Sequence, residues 1–317
     1  MKSDVQLPAG QPASAEDRKS NLAGWASPQR VNRALGGIVL AAVFGWAYWP
    51  TLVELVSTWD REPDYSHGFF VVPLAIFFLW ARRDSFPGVA DRLAWSGLIL
   101  LAVAVGMRVV SAWFFLETID GWSILFWVGG VVWLIWGLRV FWWSLPSIAF
   151  LWFMVPLPFR VETWLSLPLQ RVATKLSCWV LQCLGQPALA QGNVIHIGED
   201  QLEVARQCSG LRIFVGIVAL AFAYVILVRR PWWEKLLLLL SVLPIAVVAN
   251  STRIVSMGLL MQNVSGDAAR TFAHDVSGWV MIPYAAALFA VVLLYVDKLI
   301  REVELVDVAA SIRRDRV

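Results

Sequence analysis

Eight apolar segments, each close to the length that crosses a lipid bilayer, dominate this chain. A transmembrane helix needs roughly 20 consecutive apolar residues. The composition agrees, because 59% of the residues are hydrophobic and 15% are charged, whereas ordinary globular domains are about 45–50% apolar and about 25% charged. The sequence therefore predicts an all-α polytopic membrane protein with about eight transmembrane helices. The candidate spans are 34–53, 66–81, 93–113, 121–138, 140–158, 209–228, 236–257 and 277–299.

The distribution of Lys and Arg predicts the orientation, because short loops rich in positive charge stay in the cytoplasm. With a cytoplasmic N-terminus, 17 of the 26 basic residues fall on the inner side and 6 on the outer side. We therefore expect a disordered cytoplasmic tail at 1–33, a multi-span membrane catalytic domain at 34–300 and a second cytoplasmic tail at 301–317. Since no nucleic-acid-binding motif accompanies the basic residues, we expect no nucleic-acid partner.

The longest segment expected on the outer side is the insertion 159–208. Its first half places apolar residues at helical spacing between polar ones, which predicts an amphipathic helix lying at the membrane interface. Its second half, NVIHIGEDQLEVA, has two short alternating runs around Gly-Glu-Asp, which predict a β-hairpin. The hairpin leads to Cys208, immediately before the sixth apolar segment.

Cys208 differs from the other two cysteines of the chain. Cys178 and Cys183 are five residues apart on the expected amphipathic helix, about 140° around it, so a disulfide between them would require a broken helix. We interpret both as ordinary apolar side chains. Cys208 stands at the start of a span, where free backbone N–H groups and the helix dipole stabilise a thiolate. The alternative at this point is a cysteine that only packs.

A nucleophilic cysteine needs a basic or imidazolium partner. The three histidines of the chain, His67, His196 and His274, all fall in segments expected on the outer side. His196 alternates with apolar residues in the hairpin, which is typical of a surface or packing residue. His67 and His274 each stand beside the start of a span and near a glycine, so either could meet Cys208 across a helix bundle.

Arg253 lies within the seventh apolar segment, in the stretch NSTR. A guanidinium inside an apolar helix is costly, and such residues mark function by default. The alternative is a side chain that reaches to the outer interface. If Arg253 faces the bundle, it offers a planar set of donors to a carbonyl, a carboxylate or an oxyanion. Asn250, three residues earlier, would share that face of the helix.

Four motifs in this order resemble the exosortases and their archaeal relatives, the archaeosortases. They are DYSHGFFVVP, the hairpin followed by CSGLR, the N-x-x-R of NSTR and the H-D-x-x-G of HDVSG. The resemblance implies a cysteine transpeptidase of the inner membrane with its active site on the periplasmic side. It also implies that the catalytic residues are Cys208, Arg253 and His274.

The resemblance further implies the partners of the protein. Its substrates would be membrane-anchored proteins with a C-terminal sorting tail, which consists of a Pro-Glu-Pro-type motif, a transmembrane helix and a basic end. The acyl group would pass through a thioester to an unknown envelope acceptor, with no cofactor and no metal. Tyr65, Ser66 and His67 of the first motif, with Asn250, are expected to bind or position the substrate. Arg206 and Gln207 stand where many relatives have Glu-Ala, which could alter substrate preference.

Other functions remain open from the residues alone. A channel or transporter whose intramembrane Arg binds an anionic solute would carry polar residues along several spans and internal repeats, and the sequence has neither. A serine intramembrane protease is a further alternative, but the sequence has no G-x-S-x-G. If water accepts the acyl group the enzyme is a protease, and if an amine or hydroxyl accepts it the enzyme is a transpeptidase. The sequence does not distinguish these two.

Overall fold

The computed structural model describes residues 28–90, 92–198, 200–204, 211–228, 230–263 and 277–299. Short 3₁₀ turns lie at Pro63–Tyr65, Arg83–Ser85, Trp95–Gly97 and Leu151–Met154. The α-helices in this part of the chain are α1 Pro28–Arg61, α2 Gly68–Ala81, α3 Leu98–Phe114, α4 Glu117–Trp136, α5 Leu138–Phe150, α6 Phe159–Cys183, α7 Leu211–Leu227, α8 Trp232–Asn263 and α9 Ser277–Leu299.

The all-α polytopic fold class is confirmed, and each of the eight apolar segments corresponds to a helix. The segments Leu138–Met154 and Phe159–Cys183, which contain α5 and α6, meet at an angle of 83°. They give a sixth span if this bent pair is counted as one. The apolar helices Gly68–Ala81 and Ile213–Leu227 are shorter than the usual length of a span. By length and composition the described residues therefore give five or six spans. The five helices long and apolar enough on their own are Ala34–Arg61, Trp95–Phe114, Glu117–Trp136, Trp232–Gln262 and Val280–Leu299.

The chain forms two compact units, of which the first comprises Met1–Glu54 and Phe86–Leu145. Its helices α3 and α4 pack closely where glycines replace larger side chains. A Cβ on Gly97 would lie 2.5 Å from the backbone nitrogen of Leu134, and a Cβ on Gly130 would lie 2.8 Å from Cγ of Leu101. Small residues let membrane helices approach this closely, so these glycines determine the packing of the pair.

A polar network lies inside the first unit. Nε of Arg108 is 3.5 Å from a carboxylate oxygen of Asp120, and the guanidinium lies 4.1 Å from the ring centre of Tyr48. The hydroxyls of Tyr48 and Ser123 are 2.9 Å apart, and Thr51 donates a hydrogen bond to Asp120. The charge of Arg108, which lies within a span, is thus balanced by a carboxylate and an aromatic face.

The second unit comprises Leu55–Ser85 and Pro146–Val317, and all four motifs fall within it. It contains an antiparallel sheet of β1 Ala188–Gln191, β2 Val194–Ile197 and β3 Asp200–Glu203, in the order β1-β2-β3. The predicted hairpin is confirmed as β2 and β3, and the structure adds β1, which the sequence pattern does not indicate. The sheet packs on α6 and α8 through buried side chains that alternate along the strands, among them Ile195, Ile197 and Leu202.

Candidate active site

Cys208 and His274 lie outside the described residues, and the structure describes the elements on either side of them. Val204, the last described residue before Cys208, is 2% exposed, and α7 begins at Leu211. Helix α9 begins at Ser277, three residues after His274.

The helices that follow Cys208 and His274 pack against the helix that carries Arg253. Helices α7, α8 and α9 share one apolar core, because their buried faces meet. The part of α8 in this core extends to four residues before Arg253. Tertiary packing thus brings the helices that follow two of the four motifs, and the helix that carries a third, to one bundle in the second unit. The buried members of the core are Ile213, Ile217, Ala221, Val242, Ile245, Ala246, Ala249, Met281, Ala285 and Phe289.

Asn250 and Arg253 lie in the C-terminal half of α8, and both face protein on at least one side. Asn250 is 1% exposed, and Arg253 is partly buried. Residues three apart share a helix face, so the side chain of Arg253 leaves α8 on the side that Asn250 occupies. This placement fits an Arg253 that faces the bundle better than one that lies wholly at the outer surface.

The turn of α8 just before Arg253 is held from two sides, by α6 and by α9. The hydroxyl of Ser177 on α6 donates a 3.2 Å hydrogen bond to the carbonyl oxygen of Ser251. The hydroxyl of Thr252 lies 3.5 Å from that of Tyr284 on α9. Arg253 therefore stands at the level where α6, α8 and α9 meet, and its backbone position is determined from two sides.

Hydrogen bonds tie the DYSHG motif and the end of α1 to the bend between α5 and α6. Nε2 of His67 is 3.0 Å from the carbonyl oxygen of Phe153, and the backbone N–H of Leu157 donates to the hydroxyl of Tyr65 at 3.3 Å. Nε1 of Trp59 donates to the carbonyl oxygen of Met154 at 2.8 Å. Since a carbonyl only accepts, Nε2 of His67 carries the proton and serves as a donor. This nitrogen of His67 is therefore hydrogen-bonded to the bend.

Tyr65 also borders a small apolar cavity of about 180 Å³, whose lining includes Leu165 of α6 and Phe214 of α7. Burial, and then the negative charge of Glu162, raise the pKa of Tyr65 to about 12. The phenol therefore stays neutral near neutral pH and acts as a hydrogen-bonding group rather than as a base. Ser66 lies in the turn between Tyr65 and α2 and is partly buried.

Helix α6 carries buried polar side chains that the sequence did not reveal. Ser166, Gln170, Thr174 and Ser177 are each at most 5% exposed, although polar residues of an amphipathic helix are expected on its wet face. Gln170 donates a hydrogen bond to the carbonyl oxygen of Val204. The only signal in the sequence is that these residues are small or uncharged, whereas charged residues lie between them.

The remaining cysteines agree with their interpretation as ordinary side chains. Cys178 is buried and Cys183 is exposed, and both are free, so the expectation that they form no disulfide with each other is confirmed.

Across the described parts of the chain, no group of three or more His, Cys, Asp or Glu residues could hold a metal ion.

Comparison with known proteins identifies the family. A family model described as transmembrane exosortase matches residues 59–291, which is well over half of the chain. The match includes all four motifs and the whole of α6, α7 and α8. Neither the curated proteins nor the solved structures gave a match. The chain therefore belongs to the transmembrane exosortase family.

Proposed function

We propose that this protein is a membrane cysteine transpeptidase or protease that cleaves the C-terminal sorting tails of exported, membrane-anchored proteins. The observation that carries the proposal is the shared core of α7, α8 and α9, which packs the helices after Cys208 and His274 against the helix of Arg253. A cysteine three residues before α7, a histidine three residues before α9 and an arginine on α8 are a set suited to acyl transfer.

The first half-reaction forms a thioester. The Cys208 thiolate attacks the carbonyl carbon of the scissile peptide bond, and a C–S bond forms while the carbonyl oxygen gains negative charge. Arg253 donates hydrogen bonds to that oxygen or holds the substrate carboxylate, because its planar guanidinium is always charged. The C–N bond then breaks, and the imidazolium of His274 gives its proton to the leaving amine.

The second half-reaction releases the acyl group. An amine or hydroxyl of an envelope molecule attacks the thioester carbon, His274 accepts the proton of the attacking group, and the C–S bond breaks to restore the thiolate. With water as the acceptor the same steps give hydrolysis. Mass determination of the new C-terminus distinguishes the two, because only transfer leaves the mass of the acceptor on the product.

Tyr65, Ser66, His67 and Asn250 would support this chemistry by binding or positioning the substrate. Asn250 is buried on α8 three residues before Arg253, and Tyr65 lines a cavity with Phe214 of α7. Substrates with one transmembrane helix would approach within the bilayer. Charge asymmetry supports cytoplasmic termini and a periplasmic site in the inner membrane.

Substitution of Cys208 tests the proposal directly. Cys208→Ser should abolish processing of a co-expressed substrate that carries a sorting tail, because a hydroxyl of similar size has a far higher pKa than a thiol and does not ionise near neutral pH. Cys183→Ser is the matched control, since Cys183 is exposed, and it should process normally. Processing at the wild-type rate by Cys208→Ser, at equal membrane level, would show that the thiol is structural.

A further inference from the structure

A large apolar groove lies between α1 and α4 in the first unit, away from the candidate active site. Its volume is about 960 Å³, near the upper end of the range of about 300–1,000 Å³ that is typical of ligand pockets. The residues that line it carry no charge, and the small residues Gly37 and Ala41 form part of its wall on α1. Ile38, in the same wall, is 65% exposed. The groove is therefore open towards the surroundings of the helix pair.

The groove is about as long as one leaflet of a bilayer is thick. On α4 its lining runs from Trp127 to Trp136, nine residues later, which is about 14 Å at a rise of 1.5 Å per residue. On α1 it runs from Ala34 to Phe44, ten residues later and thus about 15 Å. The hydrocarbon core of a bilayer is about 30 Å thick, so one leaflet contributes about 15 Å. The acyl chains of one leaflet match this length, whereas a transmembrane helix would extend well beyond the groove.

Aromatic rings stand at one end of the groove. The ring centres of Phe44 and Tyr48 on α1 are 4.9 Å apart, and those of Tyr48 and Trp127 on α4 are 5.9 Å apart. Tyr48 is fully buried. The two helices are thus in contact through these rings, and the groove ends there instead of continuing across the bilayer.

The opposite end of the groove has the features of a membrane surface. The backbone N–H of Ala90 donates a 3.2 Å hydrogen bond to the carbonyl oxygen of Trp136, and both residues line the groove. Tryptophan is enriched at membrane–water interfaces. Arg92 follows Ala90 by two residues and Arg139 follows Trp136 by three, and both arginines are exposed. Neither guanidinium forms an ion pair with a residue that the structure describes, so two positive charges lie beside the mouth of an apolar groove.

We propose that this groove binds one anionic phospholipid, with its acyl chains between α1 and α4 and its phosphate beside Arg92 and Arg139. Basic sites between transmembrane helices on the cytoplasmic side bind anionic head groups, and the distribution of Lys and Arg places the mouth on that side. Charge selects the head group, and the length of the groove selects a lipid over a helix. The inference does not depend on the proposed catalytic residues.

The charge argument is tested by native mass spectrometry of the full-length protein in detergent, titrated with phosphatidylglycerol or with phosphatidylcholine of the same acyl chains. The wild type should bind one phosphatidylglycerol about 10- to 30-fold more tightly than phosphatidylcholine, because each arginine near the phosphate favours the anionic lipid. Arg92→Gln combined with Arg139→Gln should bring the two affinities to within about twofold. Arg160→Gln combined with Arg171→Gln is the matched control, since it removes two exposed arginines of α6, and it should keep the preference.

The shape argument is tested by filling the groove. Ala41 and Ala42 are neighbours on α1 and both are exposed, but Ala41 lines the groove and Ala42 does not. Ala41→Trp places an indole where the acyl chains would lie, so it should weaken binding of both lipids at least about tenfold. Ala42→Trp adds the same side chain outside the groove and should leave both affinities near those of the wild type.

Two results would overturn the inference. One is equal binding of the two lipids by the wild type, and the other is equal lipid binding by Ala41→Trp and Ala42→Trp, since the lipid would then bind elsewhere. If Ala41→Trp does not accumulate in the membrane, the paired arginine variants still decide the question.

A cross-link identifies the occupant of the groove directly. Photoreactive benzoylphenylalanine in place of Ile38, in full-length protein reconstituted with a tailed substrate in vesicles that contain phosphatidylglycerol, should give an adduct with the added mass of one phospholipid. An adduct with the transmembrane helix of the substrate, or with a second copy of the chain, would show a different occupant and overturn the lipid assignment.

Discussion

Replacing Gly68 by alanine tests the contact between the DYSHG motif and α1. Gly68 is the first residue of α2, and a Cβ there would lie 2.3 Å from Nε1 of Trp59 and 2.5 Å from its Cδ1. Contacts between carbon atoms are most favourable at about 3.5–4.0 Å, so the indole has to move by about 1 Å or more. That movement disrupts the 2.8 Å hydrogen bond from Trp59 to the carbonyl oxygen of Met154.

The cost follows from these two effects. Overpacking a well-packed site costs about 1–3 kcal/mol, and leaving a buried carbonyl without its partner costs about 1–3 kcal/mol. The better helix propensity of alanine offsets about 0.5–1 kcal/mol of this loss in stability. We therefore expect Gly68→Ala to lower the free energy of unfolding by about 1–5 kcal/mol. At about 2–4 °C per kcal/mol for a domain of this size, the unfolding midpoint should fall by roughly 2–20 °C.

The measurement is thermal unfolding of the purified full-length protein in detergent. Gly216→Ala is the matched control, because Gly216 lies in α7 of the same unit and a Cβ there would meet no atom within 4 Å. Its midpoint should equal that of the wild type or exceed it slightly. Trp59→Phe removes the N–H donor together with part of the buried indole, so it should also lower the free energy of unfolding, by at least about 1 kcal/mol. A wild-type midpoint for Gly68→Ala would refute the close contact between Gly68 and Trp59, and with it the attachment of the motif to the bend.

Three further predictions concern the site and its orientation. Arg253→Lys keeps the charge but loses the planar donor fork, so processing of a tailed substrate should fall at least about tenfold at equal membrane level, and wild-type processing would exclude a role for that geometry. His67→Ala removes the 3.0 Å bond to Phe153 and should weaken processing without abolishing it, whereas a complete loss in a folded protein would place His67 in the chemistry. A reporter fused after Lys235 should behave as cytoplasmic and one near Gln191 as periplasmic, and labelling of Gln191 from the cytoplasm would reverse the proposed orientation.

The sequence alone determined the class of the fold and the family. Long apolar segments have few ways to satisfy their backbone groups in lipid, so helices follow from composition and length. The alternation around Gly-Glu-Asp was sufficient to predict β2 and β3, because a period of two residues is a local property. The spacing of Cys178 and Cys183 excluded a disulfide between them within a helix for the same reason. The four motifs, which are short local patterns, carry the resemblance to the family without any tertiary information.

The tertiary structure decided which polar residues are buried. Gln170 and Arg171 are adjacent and both polar, yet Gln170 is buried and Arg171 is exposed. Periodicity shows that α6 has two faces, but it does not tell which polar side chain finds a buried partner. The partner of Gln170 is 34 residues away at Val204, and that of His67 is 86 residues away at Phe153. Such bonds depend on how distant segments pack, and a local pattern of residues carries no information on that packing.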